Sequence, residues 1–297
     1  MKSVRTKIIL AALVASMGVY TLTGCSNSAK STSIISMKEG TIDVYNLYEK
    51  AKELQGIPTS TLLQDLTFSK ILEKDYGTKI TDKEVKNQVD TVKKQMGDQF
   101  SSVLQQYGYT EEGFKFLSRL QLLTTYAIDQ EISKTQYTES NLKTAWESYH
   151  PEVEAVIVSV ATKEEAVQAS KSDADKFEKD NKDKKIKFDS TNTSISSELK
   201  TAAFKLKNGQ LSKAIEVQNP ANGMISYYVI KMINNPKKGT DINKYKNQLK
   251  TAIKNEKEAD ADYTNKVKAQ YIKNHNVEIK EKEFSTLFSQ LSTDSSK

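Results

Sequence analysis

The chain has 297 residues, 37% hydrophobic and 28% charged, with 11 Gly, 4 Pro, 2 His and 1 Cys. One cysteine excludes an internal disulfide, a CxxC redox pair and a thiolate zinc site, and two histidines, His150 and His275, argue against a multi-histidine metal centre. Sparse proline and glycine leave room for long helices, and the length suits one large or two medium domains.

Residues 1–24 differ from all that follows. Lys2, Arg5 and Lys7 form a basic start, and residues 8–22 are uncharged and apolar or small. This run is shorter than the roughly 20 residues of a membrane span and fits a secretory signal. Leu22-Thr23-Gly24-Cys25 resembles a bacterial lipobox, in which small residues admit the signal peptidase and the thiol accepts a diacylglycerol group. Cys25 is therefore the expected lipidation site. Without residues 1–24 the chain keeps 41 basic against 38 acidic residues, so the formal charge of +6 is partly a property of the leader and no nucleic-acid partner is expected. Residues 26–36 are Ser-rich and read as flexible, and the tether is taken as 25–40.

Residues 41–150 read as successive amphipathic helices. Val44, Leu47, Tyr48, Ala51 and Leu54 recur at helical spacing. Pro58 and Thr59 open a second helix that ends at Gly77. Thr81-Asp82-Lys83-Glu84 is a capping box, and the helix behind it buries Val85, Val89, Val92 and Met96. Thr110 caps a longer helix carrying Phe114, Leu117, Leu120, Leu123 and Ala127. Leu142, Ala145, Trp146 and Tyr149 form one stripe of a last helix, which reads as core packing or as a binding crevice.

After Pro151 the character changes. Residues 153–160 (VEAVIVSV) predict a strand, 162–182 one polar-faced helix, 186–188 a short strand, and 197–206 a helix ended by Asn208-Gly209. Two strands, 211–217 and 226–233, flank the turn-rich 219–223. Pro236 ends this unit, and a long polar helix follows Asp241. The fold class is thus α+β: a mostly helical domain from 41–150 and 237–285, a small α+β domain inserted at 151–236, and a flexible tail at 286–297. His150 is expected on a surface linker and His275 at a helix end. The interleaved Lys182, Lys184, Lys185 and Lys187 read as a solvated face. No phosphate loop, metal constellation or activated Ser/His pair is present, so no cofactor is expected.

The whole arrangement resembles the PrsA/PrtM foldase lipoproteins of Gram-positive bacteria, in which a parvulin-type peptidyl-prolyl isomerase domain interrupts a helical chaperone domain. The marker is residues 199–212, LKTAAFKLKNGQLS, which look like the parvulin helix and turn. Tyr227-Tyr228-Val229-Ile230-Lys231 resembles the last parvulin strand and Tyr149-His150-Pro151-Glu152 the lead-in to the first. Three departures stand beside the match. Ile157 and Tyr228 occupy the positions of the family's catalytic histidines, Ser226 replaces a glycine, and between Phe188 and Leu199 only DSTNTSISSE remains of a longer segment.

The resemblance implies a foldase anchored through Cys25 on the outer face of the cell membrane. Its partners would be unfolded secreted proteins, exported proteases among them, and dimerisation could complete a helical crevice. Phe204, Leu206, Tyr227 and Tyr228 are the candidate peptide-binding residues. The lost histidines imply an impaired catalyst. A working isomerase and a solute-binding lipoprotein stay as alternatives, the latter weakened because only one α+β unit is visible where two lobes are usual.

Overall fold

The computed structural model describes residues 31–219 and 222–291. Cys25 and the leader lie outside the described residues. The described residues divide into two compact units, residues 31–134 with 258–291, and residues 135–257.

The first unit is built on a three-stranded antiparallel sheet in the order β2-β1-β7, from β1 (Ser33–Met37), β2 (Gly40–Asp43) and β7 (Glu278–Ile279). Its helices are α1 (Val44–Glu53), α2 (Thr59–Tyr76), α3 (Asp82–Met96), α4 (Phe100–Gln106), α5 (Glu111–Thr135) and α11 (Ala261–Asn274). The tether expected over 25–40 is corrected from Ser33 onward. Ile34, Ile35 and Met37 are buried, and Ile35 pairs with both Ile42 and Ile279. Burial of this short apolar run outweighs the serines around it. These strands join Leu63, Ile71, Leu72, Val85, Leu120 and Leu123 in one core.

The tail is corrected likewise up to residue 291. Leu287 and Leu291 are buried, Phe68 meets Phe288 edge to face at 6.1 Å, and Gln64 donates to the Leu287 carbonyl at 2.5 Å. The long helix expected after Asp241 is two, α10 (Lys246–Ala259) and α11, because the Asp260 side chain accepts from the Tyr263 N–H and starts a new N-terminus. The expected capping box is present: Thr81 Oγ1 accepts from the Glu84 N–H, and the Glu84 carboxylate accepts from the Thr81 N–H at 2.7 Å. Those bonds hold the Glu84 carboxyl below its ordinary range.

Three charged contacts fix the ends of the helices. Arg119, on α5, forks onto Glu73, with Nη2 to Oε2 at 2.8 Å, and donates to the carbonyls of Gly77 and Ile80. His275 ends α11, as expected. Its Nδ1 lies 2.7 Å from Glu39 and its Nε2 3.2 Å from Asp75, with the imidazole mostly buried. Lys38 reaches the Asn274 carbonyl, placing a cation at the same helix C-terminus.

The second unit holds a four-stranded antiparallel sheet in the order β4-β3-β6-β5. Its strands are β3 (Val153–Val160), β4 (Lys185–Phe188), β5 (Ile215–Gln218) and β6 (Ile225–Asn234). Its helices are α6 (Glu139–Ser148), α7 (Lys163–Ala169), α8 (Ala174–Asp180), α9 (Ser197–Phe204) and α10. The single helix expected over 162–182 is two, since Asp173 caps Lys176 and starts α8. Helix α9 packs on one sheet face through Leu199 and Ala203, and α7 and α8 pack on the other through Ala166 and Phe177. The α6 stripe is core: Ala145 and Tyr149 are buried with Leu249 and Ile253 of α10. Helices α6 and α10 thus cluster with the sheet in residues 135–257, whereas the sequence boundary falls at Pro151 and Pro236.

Two outcomes are expected of the first unit. Arg119→Lys loses the bidentate fork and should lower unfolding free energy by about 1–3 kcal/mol in urea titration. Asp65, on α2, has its carboxyl pushed up to about 6 by burial, opposed only by the charge of Lys268. The folded chain then holds this proton more tightly than the unfolded one, so stability falls as pH rises between roughly 4 and 6. Asp65→Asn should therefore stabilise by about 2 kcal/mol near pH 7, and the gain should vanish below about pH 4.

Candidate functional site

The central pair β3 and β6 sets the geometry of the sheet. Ile157 pairs with Ile230 and Ser159 with Tyr228. Side chains alternate along a strand, so Ile157, Tyr228 and Ile230 face α9, while Val156, Val158, Tyr227 and Val229 face α7 and α8. On the α9 face, Ile157 and Tyr228 are half-buried beside Ile195, Ile215 and Val217. That patch is largely apolar, and its polar groups are the hydroxyls of Tyr228, of Ser159 opposite it and of Ser226 on the same face.

The expected peptide-binding set does not converge. Tyr227 packs on the opposite face from Tyr228, beside Val158, Val160 and Ala214, because adjacent strand residues cannot share a face. Leu206 is buried core, and with Phe204 it lies at the far end of β6, where Asn235 Nδ2 donates to the carbonyls of Phe204 (3.1 Å) and Leu206 (2.8 Å). Tyr228 to Asn234 spans six residues of strand, about 20 Å.

His150 is not a surface linker residue. Its ring is half-buried and stacks on Phe204 at 4.1 Å with 5° between the planes. The stack follows from Pro151, which turns the chain into β3, and from the position of Phe204 at the end of α9. Nδ1 lies 2.9 Å from the Pro151 carbonyl and is therefore the protonated nitrogen.

The shortened segment after Phe188 is pinned from several sides. Asp189 accepts from Thr191 N–H at 2.9 Å, from Thr191 Oγ1 at 2.6 Å and from the Tyr149 hydroxyl at 3.3 Å. His150 and Ser190 exchange two bonds, His150 N to Ser190 Oγ and Ser190 N to the His150 carbonyl. Lys200 donates to the carbonyls of Ser190 and Asn192, and Asn255 of α10 to that of Thr191. Burial raises the Tyr149 hydroxyl well above the usual tyrosine range, and the Asp189 charge adds to it. Burial lowers the Lys200 ammonium, with Asp189 opposing. No sequence signal marked this network, since Asp, Ser, Thr and Asn in a loop are commonplace.

Buried Lys231, on the α8 face, is the other polar anchor. Its ammonium meets Asp175 at 3.2 Å, Glu178 at 3.4 Å and the Ala174 carbonyl at 3.2 Å, which ties α8 to β6. Among the described residues no group of three or more His, Cys, Asp or Glu side chains could hold a metal ion. No described helix is long and apolar enough to cross a membrane.

Asp189→Ala should leave the Tyr149 hydroxyl and the Thr191 N–H without their acceptor. The expected cost is about 1–3 kcal/mol, with faster amide exchange at Thr191.

No family model matches the chain. A foldase protein PrsA from Lactococcus lactis is 48% identical over 303 residues, which cover 100% of this chain and 98% of that protein. One from Enterococcus faecalis is 37% identical, covering 94% of this chain and 84% of that protein. The crystal structure of the Lactococcus lactis foldase protein covers 88% of this chain and 100% of that one, at 50% identity and a TM-score of 0.74. That of PrsA from Streptococcus pneumoniae gives 28% identity, the same coverages and a TM-score of 0.68. The resemblance drawn from residues 199–212 and 227–231 thus extends over the whole chain, which belongs to the PrsA family of extracytoplasmic foldases.

Proposed function

We propose that this foldase is anchored by a lipid on Cys25 at the outer face of the cell membrane and assists secreted polypeptides by binding them rather than by catalysing proline isomerisation. The observation that carries the second half is the α9 face of the sheet. Rotation about an X–Pro bond crosses a barrier of about 18–20 kcal/mol. Lowering it takes polar groups that favour the twisted amide over the planar one. Ile157 offers neither donor nor acceptor, and Tyr228 stands half-buried among Ile195, Ile215 and Val217. His150 is committed to Phe204 and Pro151, and His275 to Glu39 and Asp75 in the other unit. His150 stands beside Phe204, at the opposite end of β6 from Tyr228.

Anchoring supports the same reading. A lipidated cysteine concentrates the protein at the site where chains emerge, which raises capture without stronger contacts. The clients would be exported proteins, cell-wall proteases among them, with a second copy of the chain as a further partner.

The test pairs two assays on the full chain. Refolding of a denatured exported protease should give a higher yield in its presence. Isomerisation of a proline tetrapeptide should stay within about twofold of the uncatalysed rate, whose time constant is roughly 10–100 s. A rate well above that, lost in Tyr228→Phe, would establish an isomerase instead. Metabolic labelling with palmitate should mark the wild-type chain and not Cys25→Ser.

A further inference from the structure

The second unit carries a cleft that the family's histidine positions do not reach. It opens at the Asn235 end of β6, has a volume of about 550 Å³, and is walled by the stacked His150 and Phe204 together with Tyr149, Leu206 and Pro236. Its rim is cationic. Lys207, Lys237 and Lys238 line it, with Glu147 the one carboxylate. Lys207 and Lys237 are exposed and make no ion pair among the described residues. Lys238 is half-buried, with its ammonium 4.5 Å from the Trp146 ring centre and bonded to the Trp146 carbonyl.

Asn235 adds a directed acceptor. Both of its amide hydrogens are spent on the carbonyls of Phe204 and Leu206, which fixes the side chain and leaves Oδ1 for an incoming N–H. An apolar and aromatic wall, a free amide acceptor and surplus ammonium groups each select a different part of one ligand. The wall takes an apolar side chain, Oδ1 a peptide N–H, and the rim a carboxylate. A phosphate would use the rim alone. The volume suits two to three residues of extended chain.

Resting on the client-binding reading above, we propose that this cleft binds a short extended segment of an unfolded polypeptide in which an acidic residue adjoins an apolar one. The segment places its carboxylate between Lys207 and Lys237 and its apolar side chain against Phe204. The sheet face around Ile157 is a separate place, so binding here needs no isomerase chemistry.

The chain has a single tryptophan, Trp146, and the Lys238 ammonium lies over its ring. The ring also stacks on Tyr149, which walls the cleft, so Trp146 fluorescence reports on an apolar side chain entering there. The full chain is titrated with a capped hexapeptide containing Asp-Phe, with its Asn-Phe counterpart, and with inorganic phosphate. The acidic peptide should shift Trp146 emission and bind about tenfold more tightly than the amide peptide, with the difference shrinking as salt rises. The double variant Lys207→Glu with Lys237→Glu changes only exposed side chains, and should reverse the preference toward a Lys-Phe peptide. Equal binding of the acidic and amide peptides, no effect of the double variant, or full competition by millimolar phosphate overturns the proposal. Client refolding is measured on the same preparations. Assisted refolding without any peptide-dependent change at Trp146 defeats the cleft and leaves the foldase standing. Peptide binding without assisted refolding defeats the foldase reading instead.

Discussion

The pairing of β3 with β6 is the constraint on which the second unit depends. It is the central pair of the sheet, and its register decides which residues meet α9 and which meet α7 and α8. Because strand side chains alternate, every residue of the motif 227–231 is committed by this one register. Tyr228 and Ile230 go to the α9 face, and Tyr227, Val229 and Lys231 go to the other. A shift of one residue would bury Tyr228 under α7 and α8 and send the Lys231 ammonium away from Asp175 and Glu178. The buried cation thus specifies the register as well as filling a place in the packing.

The elements that follow from local chemistry were legible in the sequence, and those that follow from distant pairing were not. The Thr81 capping box is complete within four residues, and it is present as read. Asp173 and Asp260 are equally local signals, but each sits inside a polar helical pattern where a cap is hard to tell from a solvent-facing acid. Strand β1 is the opposite case. Its partners are at 40–43 and 278–279, and nothing near residue 35 announces the second of them. Leu287 and Leu291 were hidden in the same way, since a Ser-rich terminus looks frayed until the surface that buries it is known.

For the candidate site, sequence resemblance located the fold and the substituted positions but not their surroundings. It placed Phe204 and Tyr228 in one set, although the length of β6 separates them. It gave His150 to a linker because the stack on Phe204 joins residues 54 positions apart. The loop that follows Phe188 was read as a loss. In the structure it is a tight hydrogen-bonded brace, in which Asp189, Ser190, Lys200 and Asn255 hold the sheet to α6 and α10. These bonds tie α6 and α10 to the sheet, in keeping with residues 135–257 forming one compact unit rather than a small domain on two linkers.

The position of β1 sets a length scale. Cys25 precedes Ser33 by eight residues, a contour of no more than about 29 Å. Strand β1 is the middle strand of its sheet, so its start cannot be peeled away to lengthen the leash without opening the core of the first unit. With the lipid on Cys25 proposed above, that unit would be confined to a layer about one domain deep above the bilayer. Its reach would be two-dimensional. Encounters with emerging chains would then be governed by lateral diffusion in the membrane, and the relevant concentration of this foldase would be a number per unit area.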